Sequence, residues 1–327
     1  MIIGIDHGNK QIKSVNCTPF ISGIQQSITR PFGKDILLYD GIYYTLSNQR
    51  IPYRKDKTED NRFFVLTLFA IAREIEQRYI NSKGETEIGK VCFCSEDVMD
   101  IELAVGLPPA HFGTQNRAFV EYFQKPEIVN FELDGRKYFI YINDTGCYPQ
   151  AYAAAATMLP QLMDKQKVLI LDIGGFTADY MMMNNGRADL STCDSLENGV
   201  ILLYNKIRSK VGSELDMLLE ESDIDAILME KPVDFGPEVI RLVEHEAQEF
   251  INDLFSALRE RMLDLRTCFV VFVGGGAILL RRQIEKSGKV VNTMFIEDIN
   301  ANAHGYEYLY KLEKAGDISD EKRPGTV

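Results

Sequence analysis

Residues 168–177 read Val-Leu-Ile-Leu-Asp-Ile-Gly-Gly-Phe-Thr, and residues 2–10 read Ile-Ile-Gly-Ile-Asp-His-Gly-Asn-Lys. In both stretches an apolar strand ends in an aspartate, one further residue and a glycine. Such a strand brings a carboxylate and a tight glycine turn to one point, which is a way to hold a phosphate and its metal ion. The same device in each half of the chain predicts two similar domains that face each other across a nucleotide.

The composition is that of a globular protein with an acidic balance. The chain has 327 residues, 45% of them hydrophobic, and a formal net charge of −12. We therefore expect no membrane binding and no direct contact with nucleic acid, so that any role near DNA would run through a basic adaptor. The start is a strand rather than a signal sequence, and no apolar run reaches about 18 residues. A cytoplasmic protein is expected.

The six cysteines are scattered and include no Cys-x-x-Cys pair. Cys92 and Cys94 fall in a strand-like run, where both thiols would share one face. Only four histidines accompany the cysteines, and the pattern favours buried free thiols over a zinc site or disulfides. The acidic stretch 214–225 is more typical of a solvated helix face and loop than of a metal site.

Predicted strands and helices alternate along the sequence, which favours an α/β fold. Two Asp-Gly turns predict hairpins over residues 36–46 and 129–142. Asp60 is a candidate cap for the helix that follows it. Further strands are predicted at residues 2–6, 11–15, 91–94, 101–105, 168–172, 179–183 and 267–273. Further helices are predicted through residues 119–123, 151–162, 199–209, 237–262 and near 306–314.

The turn after the first strand carries the first candidate phosphate site. Gly8 can adopt a positive φ and lets backbone N–H groups approach a phosphate. Asp6 would act on Mg²⁺ through water, and Lys10 would neutralise phosphate charge. Taken alone, this stretch is more simply a strand that ends in a plain turn.

The second candidate site is more specific, because a hydroxyl and a second carboxylate follow the glycine pair. Thr177 is positioned to contact phosphate, and Asp172 to hold magnesium or to orient water. Asp179 starts the return strand and would order the turn. The alternative is an ordinary hairpin around Gly174 and Gly175.

Two further stretches carry weaker signals. Gly274, Gly275 and Gly276 lie between a buried strand and a helix, where a flat ligand or a phosphate can pack on the backbone. Glycine-rich turns of this kind are common, however. Pro149 suits a helix start that would project Gln150 into a cleft. Its amide can orient an attacking water toward a γ-phosphate; the alternative is an exposed glutamine at a helix start.

In this order the motifs resemble those of the actin-like ATPase superfamily, which includes actin, the DnaK-type chaperones and sugar kinases. Residues 6–9 resemble its first phosphate motif, residues 172–177 its second, and residues 274–276 its adenosine motif. Residues 149–151 and 302–306 fall at the two interdomain connectors. Five motifs in the right order across nearly the whole chain are much more specific than any one of them.

Within the superfamily the chain is most similar to the ParM/StbA group of plasmid-segregation actins, through residues 38–44 and 105–109. The resemblance implies an α/β actin-like ATPase fold, with two RNase-H-like domains around a central nucleotide cleft. It implies a domain I formed by residues 1–150 and about 303–327. Domain II would then span residues 151–302.

The resemblance also implies an activity and partners. The protein would bind ATP or ADP with Mg²⁺, polymerise with itself, and hydrolyse ATP within the filament. A ParR-like adaptor bound to a plasmid centromere would capture filament ends, so that growth segregates plasmid DNA. GTP is an alternative to ATP that the sequence leaves open, and the adenine-contacting residues cannot be placed from it.

The resemblance assigns roles residue by residue. Asp6 and Asp172 would flank the magnesium ion and the phosphates and take part in catalysis. Gln150 stands where many relatives, including ParM, carry Glu but where actin carries Gln, which favours positioning of water over a general-base role. The residues expected to bind the nucleotide are Gly8, Asn9, Lys10, Gly174, Gly175, Thr177, Gly199, Gly274, Gly275 and Gly276.

Other members of the superfamily fit less well. A DnaK-type chaperone would need a substrate-binding domain after the ATPase, and a sugar kinase would need a catalytic aspartate for which there is no clear candidate. An FtsA-type actin would usually end in an amphipathic helix, whereas residues 317–327 are polar. A nucleotide-dependent scaffold that polymerises poorly, or a sugar-kinase-type phosphotransferase, remains the alternative to a segregating filament.

Overall fold

The computed structural model describes residues 1–83 and 98–316. The predicted strand at 91–94, with Cys92 and Cys94, therefore lies outside the described residues, as does the tail 317–327. Within the described ranges, no helix is long and apolar enough to cross a membrane.

The elements alternate along the chain as the sequence predicts. The strands are β1 (Ile2–His7), β2 (Gln11–Ser14), β3 (Phe20–Ile21), β4 (Ile24–Ser27), β5 (Ile36–Tyr39), β6 (Ile42–Leu46), β7 (Met99–Leu107), β8 (Val129–Leu133), β9 (Arg136–Pro149), β10 (Lys167–Ile173), β11 (Ala178–Asn184), β12 (Arg187–Leu196), β13 (Phe269–Val273) and β14 (Asn292–Phe295). The helices are α1 (Asn61–Lys83), α2 (Pro109–Phe123), α3 (Tyr152–Ala156), α4 (Leu159–Leu162), α5 (Val200–Leu215), α6 (Glu221–Leu228), α7 (Pro237–Glu260), α8 (Gly274–Leu279), α9 (Arg281–Lys286) and α10 (Ala301–Lys314).

These elements form two compact units. Unit 1 comprises Met1–Thr157 and the segment that starts at Asn300, and unit 2 comprises Met158–Ile299. Within residues 1–83 and 98–316, unit 1 holds a nine-stranded sheet in the order β3-β2-β1-β7-β9-β8-β5-β6-β4, and unit 2 holds a five-stranded sheet in the order β12-β11-β10-β13-β14. Each unit thus combines one sheet with helices, which confirms the predicted α/β class.

The two sheets share one local arrangement. In unit 1, β1 pairs antiparallel with β2 on one side and parallel with β7 on the other. In unit 2, β10 pairs antiparallel with β11 and parallel with β13. The strand that ends in the aspartate is therefore internal in both sheets, and the strand that follows its glycine turn is the antiparallel neighbour. The motif that occurs twice in the sequence therefore has the same strand arrangement around it in both units.

The helices cover the sheets through the apolar faces that their periodicity predicts. On α1, Phe64, Leu68 and Ile71 are fully buried in the core of unit 1. On α7, Val243 and Leu254 are fully buried in the core of unit 2. Asp60 caps α1 as predicted, because its Oδ1 accepts the backbone N–H of Arg62 at 3.1 Å.

Three helix predictions are corrected by the structure. The predicted helix 151–162 is two short helices, α3 and α4, because Pro160 in α4 cannot donate to the i−4 carbonyl and its ring clashes there. Pro149 ends strand β9 rather than starting a helix, and α3 begins at Tyr152. The last helix begins at Ala301 rather than near Tyr306, so the whole of the predicted second connector, residues 302–306, is helical.

Candidate functional site

The carboxylate of Asp6 is held by two side chains of unit 1, one on strand β2 and one on the residue that follows β9. Asp6 is the fifth residue of β1 and its side chain is buried, with 3% of the residue exposed. Its Oδ1 accepts a hydrogen bond from Nε2 of Gln150 at 2.9 Å. Its Oδ2 lies 3.9 Å from Nζ of Lys13, the residue directly opposite Asp6 on β2. The carboxylate therefore has a fixed orientation at the end of β1.

Gln150 is held in place by its own backbone. Its N–H donates to the carbonyl of Leu107 at 2.8 Å, which extends the pairing of β9 with β7 by one residue. The next residue, Ala151, has a φ of 65° and donates its N–H to Oδ1 of Asn302 at 3.2 Å. A non-glycine residue at this φ is strained and persists only where its surroundings hold it. Because Nε2 donates to Asp6, the amide oxygen of Gln150 is the atom left to accept a hydrogen bond from water.

Hydrogen bonds from two side chains fix the turn between β1 and β2. The carbonyl of Gly8 accepts the hydroxyl of Ser22 at 2.5 Å, and the carbonyl of His7 accepts the ammonium of buried Lys57. A Cβ on Gly8 would lie 2.6 Å from the carbonyl oxygen of Gln11, so only glycine fits there. Asn9 and Lys10 lie in this turn and are partly exposed.

Asp172 occupies the equivalent place in unit 2. It is 5% exposed, lies near the end of β10 and pairs directly across the sheet with Asp179 of β11. The hydroxyl of Thr177 donates to Oδ2 of Asp179 at 3.2 Å. Gly274 has a φ of 88°, and a Cβ there would lie 2.2 Å from Oδ1 of Asp172. The absence of a side chain at position 274 therefore makes room for the Asp172 carboxylate.

The glycine turn after β10 is closed by hydrogen bonds to the start of α5. The N–H of Gly174 donates to the carbonyl of Thr177 at 2.8 Å. The N–H of Gly199 donates to Phe176, and the first N–H groups of α5 donate to the carbonyls of Gly174 and Gly175, at 2.9–3.1 Å. A Cβ on Gly199 would lie 2.2 Å from the carbonyl oxygen of Gly175. Close backbone packing thus requires Gly199, while its contact with a nucleotide stays a prediction.

The three glycines at the start of α8 differ in their surroundings. Gly274 leaves room for Asp172, and a Cβ on Gly276 would lie 2.6 Å from the carbonyl oxygen of Ile173. A Cβ on Gly275 would have no atom within 4 Å. Two of the glycines are therefore needed for packing inside unit 2, and Gly275 faces open space where a ligand has access to the backbone.

The predicted site residues thus form two clusters, one in each unit. Unit 1 brings together Asp6, Gly8, Asn9, Lys10 and Gln150. Unit 2 brings together Asp172, Gly174, Gly175, Thr177, Gly199 and residues 274–276.

Three residues that support the unit 1 cluster were not assigned these contacts by the sequence analysis. Lys13 lies beside Asp6, Lys57 binds the carbonyl of His7, and Asn302 holds the backbone after Gln150. Of these contacts, only that of Lys13 could have been predicted from the sequence. A tight turn after Gly8 gives an antiparallel register that places Lys13 opposite Asp6. The other two contacts join segments far apart in the sequence.

The donor set suits magnesium bound through water. Mg²⁺ keeps several waters in proteins and is commonly held by one or two carboxylates and the substrate's phosphates. Each cluster offers a buried aspartate beside a glycine turn, Asp6 in unit 1 and Asp172 in unit 2. No group of three or more His, Cys, Asp or Glu side chains that could hold a metal ion occurs within residues 1–83 and 98–316.

His7, next to Asp6, is fully buried and neutral. Its Nε2 lies 2.7 Å from Oγ1 of Thr67, whose hydroxyl donates to the carbonyl of Phe63 at 2.8 Å. Nε2 must therefore carry the proton and donate it. Nδ1 accepts no hydrogen bond from the described residues. Burial, with the nearby Lys57 ammonium, lowers the pKa of His7 from 6.5 to about 3.

This shift predicts that unit 1 loses stability in acid. Unfolded His7 binds a proton below pH 6.5, whereas folded His7 binds one only near pH 3. The free energy of unfolding is therefore highest above pH 6.5 and falls as the pH falls toward 3. The linkage relation gives a loss of roughly 2 kcal/mol by pH 5. Denaturant unfolding at pH 7 and pH 5 measures the loss, which His7→Gln should reduce. Exposed His245, changed to Gln, is the control, and an equal loss in wild type and His7→Gln would contradict the assignment.

The fold matches that of actin-like proteins. A family model described as archaeal actin homologue MreB-like, C-terminal, matches residues 170–286, a stretch that includes Asp172 and residues 274–276. None of the curated protein sequences matches the chain significantly.

Solved structures match almost the whole chain. The archaeal actin homologue Ta0583 has a TM-score of 0.74 at 18% identity, over 95% of this chain and 99% of that one, and it has also been solved in complex with ADP. The pSK41 ParM protein has a TM-score of 0.66 at 17% identity, over 96% and 98%. A subunit of a 15-stranded ParM filament from Clostridium botulinum has a TM-score of 0.67 at 16% identity, over 95% and 98%. The chain therefore has the actin-like fold, which confirms the resemblance drawn from its motifs.

Proposed function

We propose that this chain binds ATP with Mg²⁺, polymerises into filaments and hydrolyses ATP in the filament. The observation that carries the proposal is the repeated device of the two sheets. In each, an internal strand carries a buried aspartate as its last residue but one, beside a glycine turn. Two structural neighbours add support, since the archaeal actin homologue has been solved with ADP and the ParM from Clostridium botulinum as a filament.

The residues of this chain have separate tasks in the proposed mechanism. Asp6 and Asp172 would be the residues that hold magnesium through water, and the ion would supply positive charge to neutralise phosphate. Gln150, oriented by Asp6, accepts a hydrogen bond from the attacking water and so aims it. The groups proposed to bind the nucleotide are Gly8, Asn9, Lys10, Gly174, Gly175, Thr177, Gly199, Gly274, Gly275 and Gly276.

The proposed cellular role is the segregation of plasmid DNA through an adaptor in the cytoplasm. The net charge of −12 gives the chain no attraction of its own to DNA. A basic, ParR-like protein bound to the plasmid would therefore make the link. The similarity to two ParM structures supports this role.

Sedimentation and light scattering with ATP and Mg²⁺ test the polymer. We expect filaments in electron micrographs and phosphate release that follows assembly. ATP binding without any rise in scattering at high protein concentration would favour a nucleotide-dependent scaffold. ATP-dependent phosphorylation of a sugar, with no filaments, would favour a phosphotransferase.

Replacing Gln150 by Ala should slow phosphate release from filaments by about 10- to 100-fold, because the attacking water loses the group that aims it. Nucleotide affinity should change little. Phosphate release from pre-formed filaments is the measurement. The control is Gln161→Ala, an exposed glutamine on α4, and equal rates in wild type and Gln150→Ala would rule out the assignment.

Replacing Gly275 by Ala should weaken nucleotide binding about tenfold without lowering stability. The new methyl group meets no protein atom within 4 Å, so it obstructs only a ligand that packs on the backbone there. Titration of a fluorescent ATP analogue gives the affinity, and thermal unfolding without nucleotide gives the stability. Unchanged affinity would remove this turn from the proposed nucleotide site.

A further inference from the structure

Residues 28–34, which lie in the loop that joins β4 to β5 and are called the 28–34 loop, expose two large apolar side chains. Ile28 is 89% exposed and Phe32 is fully exposed. Single exposed apolar residues are common on proteins, but here two occur within five residues. A phenylalanine side chain offers roughly 150–250 Å² for burial. Neither residue contributes to the core of unit 1, so this surface is available to a partner.

The base of the 28–34 loop is fixed. Both carboxylate oxygens of Asp134 accept backbone N–H groups at its end, from Asp35 at 3.0 Å and from Ile36 at 2.9 Å. Arg73 of α1 pairs with Asp35 at 2.7 Å. The apolar side chains are therefore presented from an anchored base, which reduces the entropy that a partner would have to remove on binding.

The loop also continues from the edge of the sheet. β4 is the last strand in the sheet order and pairs with β6 alone among the described strands. Gln25 and Gln26 on β4 are exposed and uncharged, so this edge lacks the lysine or proline that commonly discourages association. Edge and loop form one continuous surface.

The charge of the 28–34 loop favours an acidic partner. Arg30 and Lys34 are exposed on the 28–34 loop, in a chain that has 48 acidic and 36 basic residues. A basic and apolar loop is complementary to an acidic surface, which other copies of the same chain supply. We infer that the 28–34 loop is a contact through which one copy binds the acidic surface of a second copy. This inference rests on the proposed function, because it names a contact of the proposed polymer.

The test compares matched variants in assembly with ATP and Mg²⁺. The double variant Ile28→Ser and Phe32→Ser should raise the critical concentration for assembly about tenfold or more. Arg30→Glu with Lys34→Glu should raise it too, whereas Arg30→Lys with Lys34→Arg should not. Met262→Ser, at a residue 91% exposed in unit 2, is the control. A similar rise of the critical concentration in the control, or no rise in the loop variants, would overturn the inference. Neither result would contradict the proposal that the chain polymerises.

A second measurement does not depend on filaments. A benzophenone amino acid placed at position 32 reports what the loop contacts when it is irradiated at high protein concentration. Covalent dimers of this chain alone, suppressed by Arg30→Glu with Lys34→Glu, are expected. If the wild-type protein does not polymerise, the proposed function is wrong. The cross-linked dimers still show whether the 28–34 loop contacts a second copy. Their absence would overturn the inference, as would cross-links formed only with a different added protein.

Discussion

Replacing Asp172 by Asn should lower ATP turnover roughly 100-fold or more while the protein stays folded. Loss of a carboxylate that holds a catalytic metal removes several kcal/mol of transition-state stabilisation, and each 1.4 kcal/mol is about a tenfold change in rate. Asparagine keeps the size of the side chain and still fits the space beside Gly274. Phosphate release at saturating ATP is the measurement.

The stability of this variant is expected to be unchanged or slightly higher. Asp172 and Asp179 are direct cross-strand partners on β10 and β11, and like charges directly opposite each other destabilise a sheet. The substitution removes one of the two charges. Thermal unfolding without nucleotide therefore separates a catalytic effect from a structural one.

Asp264→Asn is the matched control in the same unit. Asp264 is paired with Arg266 at 2.8 Å, and that arginine lowers the pKa of the carboxyl to about 2. It is distant in sequence from both phosphate motifs, and its loss should leave turnover unchanged. Normal turnover in Asp172→Asn would contradict the metal role of Asp172, and loss of turnover in both variants would point to a general defect.

Local turn chemistry explains why much of the fold was predictable. In the hairpin of β5 and β6, Asp40 and Gly41 have φ values of 50° and 72°, a turn that Asp-Gly adopts readily. Asp134 and Gly135 form the same kind of turn between β8 and β9, with φ values of 50° and 86°. In each case the decisive residues are adjacent in sequence, so a pattern search finds them.

The predictions that were wrong or absent depend on context. Residues 151–162 are rich in alanine, and that composition outweighed the effect of Pro160 in the prediction. The strand β12 was not predicted, because its polar residues alternate weakly and its pairing with β11 is interrupted by a register shift after Met181. β12 is an edge strand, and such a strand needs less apolar sequence than an internal one.

The site was predictable in part for the same reason. Asp6 and Asp172 were found because each lies at the end of an apolar strand and next to its own glycine turn. The hydrogen bond between Gln150 and Asp6 joins residues 144 positions apart. Residue patterns alone left Gln150 as an exposed glutamine, and only the family resemblance gave it a role. Lys57 and Asn302 contact backbone groups, and nothing in their local sequence marks them.

Replacing Gly305 by Ala should destabilise unit 1 by about 3 kcal/mol or more. Gly305 is a buried residue of α10, and a Cβ there would lie 1.8 Å from the carbonyl oxygen of Ala153 on α3. That atom belongs to the backbone, so the two helices must move apart and their packing is lost. Alanine favours a helix over glycine by roughly 1 kcal/mol, which is too little to offset the clash.

Gly113→Ala is the control, because it makes the same chemical change in an exposed part of a helix. Gly113 lies within α2, and a Cβ there would have no atom within 4 Å. This variant should be more stable than wild type by about 0.5–1 kcal/mol. Denaturant unfolding of both variants gives the comparison, and the two changes should have opposite signs. A stabilising Gly305→Ala would mean that α10 does not pack closely on α3, and the anchoring of the Ala151 backbone by Asn302 of α10 would then lose its structural basis.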